Sequence, residues 1–462
     1  MNSRQILNKI AYENGRITSD IISDLIADND TTKSRQIEDY KAYRADELPI
    51  DARVFADSNK LNNKINNDFR GEIIDQAVGY LFGKPITYGI KPETYDSDTQ
   101  YKRDEEAFRA FIRDNNVDDL DLETGKKQGV CGTSGRILYI DKSGELRAMN
   151  VAPWEMIYVW DRSLDNLQYA MRYYIVKEVI KGEVRDRYRV EWYDSEKITF
   201  YVQIEGGSYV LDSTEPVNPK PHLMGTVPVV EFPNNEERMS DFKKVKELIN
   251  AYDRTVSDTQ NELEEFRQAY MLFVGATIDK DTITAARLSG AFNLPEDADV
   301  RYLTKQINDV FLENHKNTLK DNIYRFAKTI DVNSDTFTGQ GSSGEARKWI
   351  LCPLEWRCAI KQLKFAGSLD RMFQICQKVW LKKALSIDWK NITHSFDRNV
   401  PQELLLESDI LAKVSGLVSK RTALTLFSPV EDVETELQRM EDEKAEDIDL
   451  DAVPDEKPDS SE

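Results

Sequence analysis

The chain has 462 residues, 40% apolar and 31% charged, with a formal net charge of −20. Single cores stop growing at roughly 250–300 residues, so two or more cores are expected, in a chain polar enough to carry long exposed elements or large polar interfaces. The acidity and the lack of a basic patch argue against a sequence-reading DNA binder, though not against a conduit that DNA slides through, and no stretch approaches the ~18 uncharged apolar residues of a membrane span.

The N-terminus, MNSRQILNKIAYENG, lacks the apolar core of a signal peptide. The expectation is a protein made in the cytoplasm that stays soluble, with no membrane partner. Residues 1–125 read mainly as helix. Ile17, Ile21, Ile22, Leu25 and Ile26 fall at helical spacing. A second stripe, Phe69, Ile73, Ile74, Ala77, Val78 and Leu81, ends at Gly83 and Pro85, a natural helix stop.

Residues 130–235 change character. RILYIDKSGELRAMNV is two alternating runs around Asp141–Gly144, a hairpin signal. MIYVW, QYAMRYYIV, RYRVEWYD and KITFYVQI follow, rich in aromatic and β-branched residues, and predict antiparallel strands. Pro216, Pro219, Pro221 and Pro228 mark a boundary.

Residues 240–273 read as one helix of about 50 Å, capped by Ser240 or Asp241. Its stripe is Phe242, Val245, Leu248, Ile249, Tyr252, Val256, Leu263, Phe266 and Tyr270. Such a helix wants a partner, and 308–330 supplies one, with Asn308 as cap and Phe311, Leu319, Ile323, Phe326 and Ile330 as stripe. The aromatics Phe242, Tyr252, Phe266 and Tyr270 are read as packing groups. Between the two helices lies a small module, 274–307. A polar Gly/Ser loop, DVNSDTFTGQGSSGE, follows Ile330. Another long helix is expected over about 345–385, kinked or interrupted by Pro353. Two or three short helices are expected over 401–444. Residues 441–462 hold eleven acids against Lys444 and Lys457 and too few apolar groups to fold alone.

No catalytic or cofactor chemistry is expected. Gly339, Gly341 and Gly344 match GxGxxG, but a helix precedes them where dinucleotide binding needs a strand. Gly83-Lys84-Pro85 lacks the upstream glycines of a P-loop. HExxH and GxSxG are absent. Cys131, Cys352, Cys358 and Cys376 form no CxxC pair, and His222, His315 and His394 lie far from one another. Buried thiols and no metal are therefore expected.

Four segments together resemble the portal proteins of long-tailed, siphovirus-type phages. They are NNKINNDFRGEIIDQAVGYLFGKPITY (Asn62 to Tyr88), Val227 to Tyr270 around ELINAYDRTVSDTQNELEEF, Leu294 to Thr329 around NDVFLENHKNTLKDNIYRFAKT, and SSGEARKWILCPLE (Ser342 to Glu355). Together with their order and spacing they span most of residues 60–385. The resemblance implies an α+β, predominantly helical portal fold. Its parts would be a wing over 1–235, stem helices over 238–273 and 308–330, and a clip over 274–307. A tunnel loop over 331–344, a long kinked helix with wing return over 345–394, a helical crown over 395–445 and a disordered acidic tail over 446–462 would complete it.

The resemblance further implies a homo-oligomeric ring of about twelve subunits at one vertex of the virion capsid. Double-stranded DNA would pass through it without sequence specificity during packaging and ejection. The implied partners are terminase, scaffold and major capsid protein, and a head-completion or adaptor protein. The loop residues Asn333, Ser334, Asp335, Thr336, Phe337, Thr338 and Gln340 are expected to face DNA. Arg287, Arg301 and Lys305 of the clip are expected to bind the motor and then its successor. Two readings stay open for Lys316, Lys320 and Lys328: a solvated face pairing with Asp253, Asp258 and Glu262, or cations facing the channel. The alternatives to a portal are another virion adaptor or scaffold protein, or a nucleotide-binding enzyme built on the glycine loop.

Overall fold

The computed structural model describes residues 3–441, apart from 58–59, 164–165, 181–182, 267–269, 276–278, 282, 285–289, 291–296, 304–308, 335–343, 401–410, 415, 426, 428, 431–432 and 434–435. The chain is α+β and divides into two units, residues 1–398 and 399–462. Among the described residues no helix is long and apolar enough to cross a membrane.

The first unit opens with α1 (Ser3–Tyr12) and α2 (Ser19–Tyr43). The expected apolar stripe is the buried face of α2, through Ile21, Ile22 and Leu25, and Thr18 caps its start. With Ile6 and Ile10 of α1, this face packs on an antiparallel sheet, against Val159, Met171, Tyr173, Val190 and Trp192. The next helix, α3 (Phe69–Phe82), ends at Gly83 as its sequence predicts. Its stripe is wholly buried in the main core.

After β1 (Thr87–Ile90) come α4 (Asp98–Asp114) and α5 (Val117–Cys131). The region read as β then forms two sheets. β2 (Thr133–Ile140) and β3 (Leu146–Val151) make the expected hairpin, with Ile140 opposite Leu146. Gly144 takes a positive φ, and Asp141 accepts from the backbone of Ser143 and Glu145. The second sheet runs β4 (Met156–Trp160), β5 (Leu167–Ile180), β6 (Glu183–Tyr193), β7 (Lys197–Gln203) and β8 (Tyr209–Leu211), with β9 (Lys220–Pro221) beside β7. β10 (Val229–Pro233) crosses back to pair with β2, placing Val229 opposite Ile137.

The helix expected over 240–273 is shorter. Residues 241–245 form turns, and α6 spans Lys246–Phe266. At 1.5 Å per residue that is about 32 Å, not 50 Å. Tyr270–Val274 is a strand, β11, paired antiparallel with β12 (Asp299–Leu303). An aromatic and apolar run of five residues satisfies either periodicity, and the partner strand decides. Neither proposed cap acts as one. Asp241 instead accepts from Lys361 at 2.7 Å and Asn234 at 2.8 Å, and its carboxylate and the lysine are both buried. Burial would push this carboxyl up, but the charges of Lys361 and Arg357 and its hydrogen bonds hold it below its ordinary value.

α7 (Asp309–Ala327) returns along α6. α8 (Gly344–Lys382) runs through Pro353 without interruption, so the proline does not break it. Its inner face, Leu354, Cys358, Phe365, Leu369, Met372, Phe373 and Cys376, is the spine of the main core. β13 (Ile392–Ser395) then pairs with β1, tying the end of this unit to its N-terminal half. Cys131, Cys352, Cys358 and Cys376 are free thiols, and all but Cys352 are buried. The second unit holds helical residues 411–414, α9 (Lys420–Thr425) and helical residues 436–441.

Asp39 on α2 is buried 3.8 Å from Lys246, and burial raises its carboxyl to about 6 despite that charge. An acid whose folded value is raised contributes stability present below its unfolded value, 3.8, and lost as pH rises through about 6. Asp39→Asn is therefore expected to stabilise the chain at pH 7 by on the order of 2 kcal/mol, with no gain below about pH 4. Denaturant unfolding of both proteins across pH checks this. A pH-independent difference would contradict it.

Candidate functional site

The helix pair α6 and α7 flanks the β11–β12 ribbon in chain order and leads into the polar loop at Asp331. Its first determinant is a strip of polar residues on α6. Asp253, Ser257 and Asn261 recur every four residues, on one face. They accept hydrogen bonds from the backbone N–H groups of Asn67, Ile65 and Asn63 at 2.9, 2.9 and 2.8 Å. The side-chain amides of Asn67 and Asn63 repeat the contacts at 3.0 and 2.9 Å. Four helical residues advance about 6 Å and two residues of extended chain about 6.6 Å, so alternate N–H groups meet successive side chains. The run NNKINN is thus an arm laid along α6. The alternation was legible in the sequence only as a cluster of asparagines.

Below the arm, Arg70 is fully buried. It donates to Asn250 at 2.6 Å and lies 3.8 Å from Asp253. Phe69 meets Tyr252 and Tyr324 edge-on, joining α3 to both α6 and α7.

These contacts overturn the pairing expected between stem lysines and α6 acids at two positions. Asp253 is taken by the arm and Arg70, and Asp258 pairs with Arg53 at 2.8 Å. Lys316 pairs instead with Glu313 at 2.7 Å and Lys320 with Asp331 at 2.9 Å. The Asp331 contact raises Lys320 above the ordinary lysine value, and Lys316 lowers Glu313. Lys328 is exposed, in the left-handed conformation one residue beyond α7.

The junction from α7 into the loop is pinned from three sides. Arg357 of α8 donates to Ala327 O at 2.8 Å and to Ile73 O of α3 at 3.1 Å. The first is a terminal helix carbonyl, where a cation is favoured. Gln76 of α3 holds Thr329 and Ile330, and Glu72 accepts from the Tyr324 hydroxyl at 2.8 Å. The Asp331 carboxylate accepts from Asn333 N at 3.0 Å, and the Ser334 hydroxyl donates to Asp331 O at 2.8 Å. None of Gln76, Glu72 and Arg357 was singled out from sequence.

Of the predicted loop residues, Asn333 is exposed and Ser334 half-buried. Asp335, Thr336, Phe337, Thr338 and Gln340 lie outside the described residues, as do Arg287 and Lys305. Arg301 projects from β12, exposed and paired with Asp299 at 2.5 Å. The GxGxxG match also lies outside the described residues except for Gly344, which opens α8, and the element before it is the helix α7.

The arrangement is thus a helix pair with the 62–67 arm laid along α6, an antiparallel ribbon between its members in chain order and a long core helix after it. Residues 22–450 match the family described as phage portal protein, SPP1 Gp6-like. The chain is 27% identical over 405 residues to a portal protein of Bacillus phage SPP1, covering 84% of this chain and 77% of that one. It is 24% identical over 399 residues to a portal protein of Clostridium phage phiCD119, covering 81% of this chain and 83% of that one. The chain belongs to this phage portal family: it is a bacteriophage virion component that takes part in packaging DNA into the capsid.

Proposed function

We propose that the chain is the subunit of an annular portal in which about twelve copies close head to tail around a DNA channel. The ring sits at one capsid vertex. In this reading 1–235 is the wing, α6 and α7 the stem, 274–307 the clip, 331–344 the tunnel loop and α8 the long helix. The clip, with Arg301, takes terminase during packaging and a head-completion protein afterwards. Scaffold and major capsid protein surround the wing.

The observation that carries the ring is an uncovered apolar face on α8. Trp349, Trp356, Ile360 and Leu363 lie on one side of the helix and are exposed by 71, 61, 51 and 75%. Val310, Phe311 and Phe326 of α7 and Leu263 of α6 are also exposed by half or more. Monomeric proteins rarely leave such faces to water. A head-to-tail contact buries two different faces of one subunit at once.

Electrostatics support a conduit that does not grip its cargo. Each phosphate bound by a lysine or arginine adds affinity through counterion release. Lys316 and Lys320 are already engaged by Glu313 and Asp331, and the chain carries twenty net negative charges. DNA can then slide rather than stick.

Negative-stain electron microscopy of the purified protein, with and without scaffold protein, tests the proposal. Rings with a central hole and symmetry near twelve are expected. A compact particle of another symmetry under both conditions would refute it, and would favour another virion adaptor.

A further inference from the structure

We infer that Gln76 is the positioning residue of the tunnel loop: its carboxamide sets where the loop leaves the stem. This rests on the reading of 331–344 as the DNA-facing loop.

Ile330 is buried and stands between the end of α7 and the loop. Its backbone N–H donates to Gln76 Oε1 at 3.2 Å, and its carbonyl accepts from Gln76 Nε2 at 2.7 Å. Gln76 Oε1 also accepts from the Thr329 hydroxyl at 2.8 Å. One side chain thus serves both polar groups of a buried residue, which a folded chain must otherwise leave unpaired. A carboxamide offers a donor and an acceptor side by side whatever the pH. A carboxylate of the same shape accepts only, and would face the Ile330 carbonyl.

The setting makes Gln76 a datum rather than a passing contact. Gln76 Nε2 also donates to Glu72 Oε1 at 3.2 Å, and Glu72 holds Tyr324. Arg357 fixes the end of α7 to α3 and α8. Lys320 fixes Asp331. Beyond Asp331 the chain emerges, with Val332 and Asn333 exposed. The loop therefore takes its origin from α3, an element of the main core, and not from the stem helix alone.

The experiment uses full-length protein with Gln76→Met, which keeps roughly the volume and loses every hydrogen bond of the carboxamide, and Gln76→Glu, which keeps the acceptor. Hydrogen exchange of a peptide covering 325–334 is read first. Losing one to two buried hydrogen bonds should speed exchange at Ile330 by about ten-fold or more, with the thermal midpoint and ring formation near wild type. In particles assembled with either variant, nuclease-protected DNA should fall severalfold. Thr329→Val should weaken the effect of Gln76→Met if both act through one contact.

Unchanged exchange in both variants would overturn the inference. Faster exchange with normal packaging would also overturn it, provided lysines at Ser334 and Thr336 slow packaging in parallel. If those lysines leave packaging unchanged as well, the assignment of the loop itself is what fails.

Discussion

Replacing Trp356 and Leu363 together by glutamate is expected to keep the purified protein a monomer of 53.3 kDa under conditions where the parent forms rings. The two side chains are seven residues apart, two helical turns, with Trp349 and Ile360 on the same side. α8 needs none of them for its own fold, since its opposite face carries the core. Burying a large apolar side chain gains roughly 1.5–3 kcal/mol, and a buried unpaired charge costs more than that. In the proposed ring the loss recurs at every contact between copies. Static light scattering behind a sizing column, with far-ultraviolet circular dichroism as the control for folding, reads the outcome. Rings of normal mass from the double variant would show that this face is not an interface between copies.

The second large effect lies on β2. Arg136 is fully buried and donates to Asp121 at 2.8 Å, Thr124 at 2.9 Å and Asn150 at 3.1 Å, with its guanidinium 5.0 Å from the Phe232 ring centre. Tyr88 also donates to Asp121, at 2.5 Å. Burial raises the Asp121 carboxyl, and Arg136 is the main force opposing it. Arg136→Met strands that carboxylate in the core and is expected to cost about 3–5 kcal/mol. The raised carboxyl becomes the dominant pH effect, so the loss should deepen as pH rises from acid to neutral. Adding Asp121→Asn should recover much of the loss, because it removes the uncompensated charge. Denaturant unfolding followed by tryptophan fluorescence measures all three proteins. An equal loss with and without Asp121→Asn would mean that packing, not charge, is the cause.

The two variants also separate assembly from folding. Trp356 and Leu363 face outward, and their replacement should leave the unfolding midpoint of the subunit unchanged. Arg136 is fully buried, and its replacement should reduce ring yield only through loss of folded subunit.

Short-range signals in the sequence determine much of this protein. The stripe of α3 and its stop at Gly83 were legible because both lie within one helix. The hairpin at Asp141–Gly144 was legible because a tight turn and alternating strands are written in adjacent residues. The long helix α8 and the return of α7 followed from sustained periodicity, and the four quoted segments pointed to the portal family that residues 22–450 match.

Long-range pairing was decided only by the tertiary structure. The run Tyr270–Val274 is a strand because Asp299–Leu303 lies beside it, and nothing inside the run distinguishes it from a helix. Asp241 is not a cap because Lys361, 120 residues on, takes its carboxylate. Lys316 and Lys320 of α7 do not reach Asp253 or Asp258, since Arg70 and Arg53 arrive there first. Gln76 looked like one polar residue on a helix until Ile330 was placed against it, 254 residues later. Periodicity reports which face of an element is buried, but a polar side chain is satisfied by whichever partner the fold delivers. That choice is made by packing, so the frame of this protein was readable from its sequence and the joints between its parts were not.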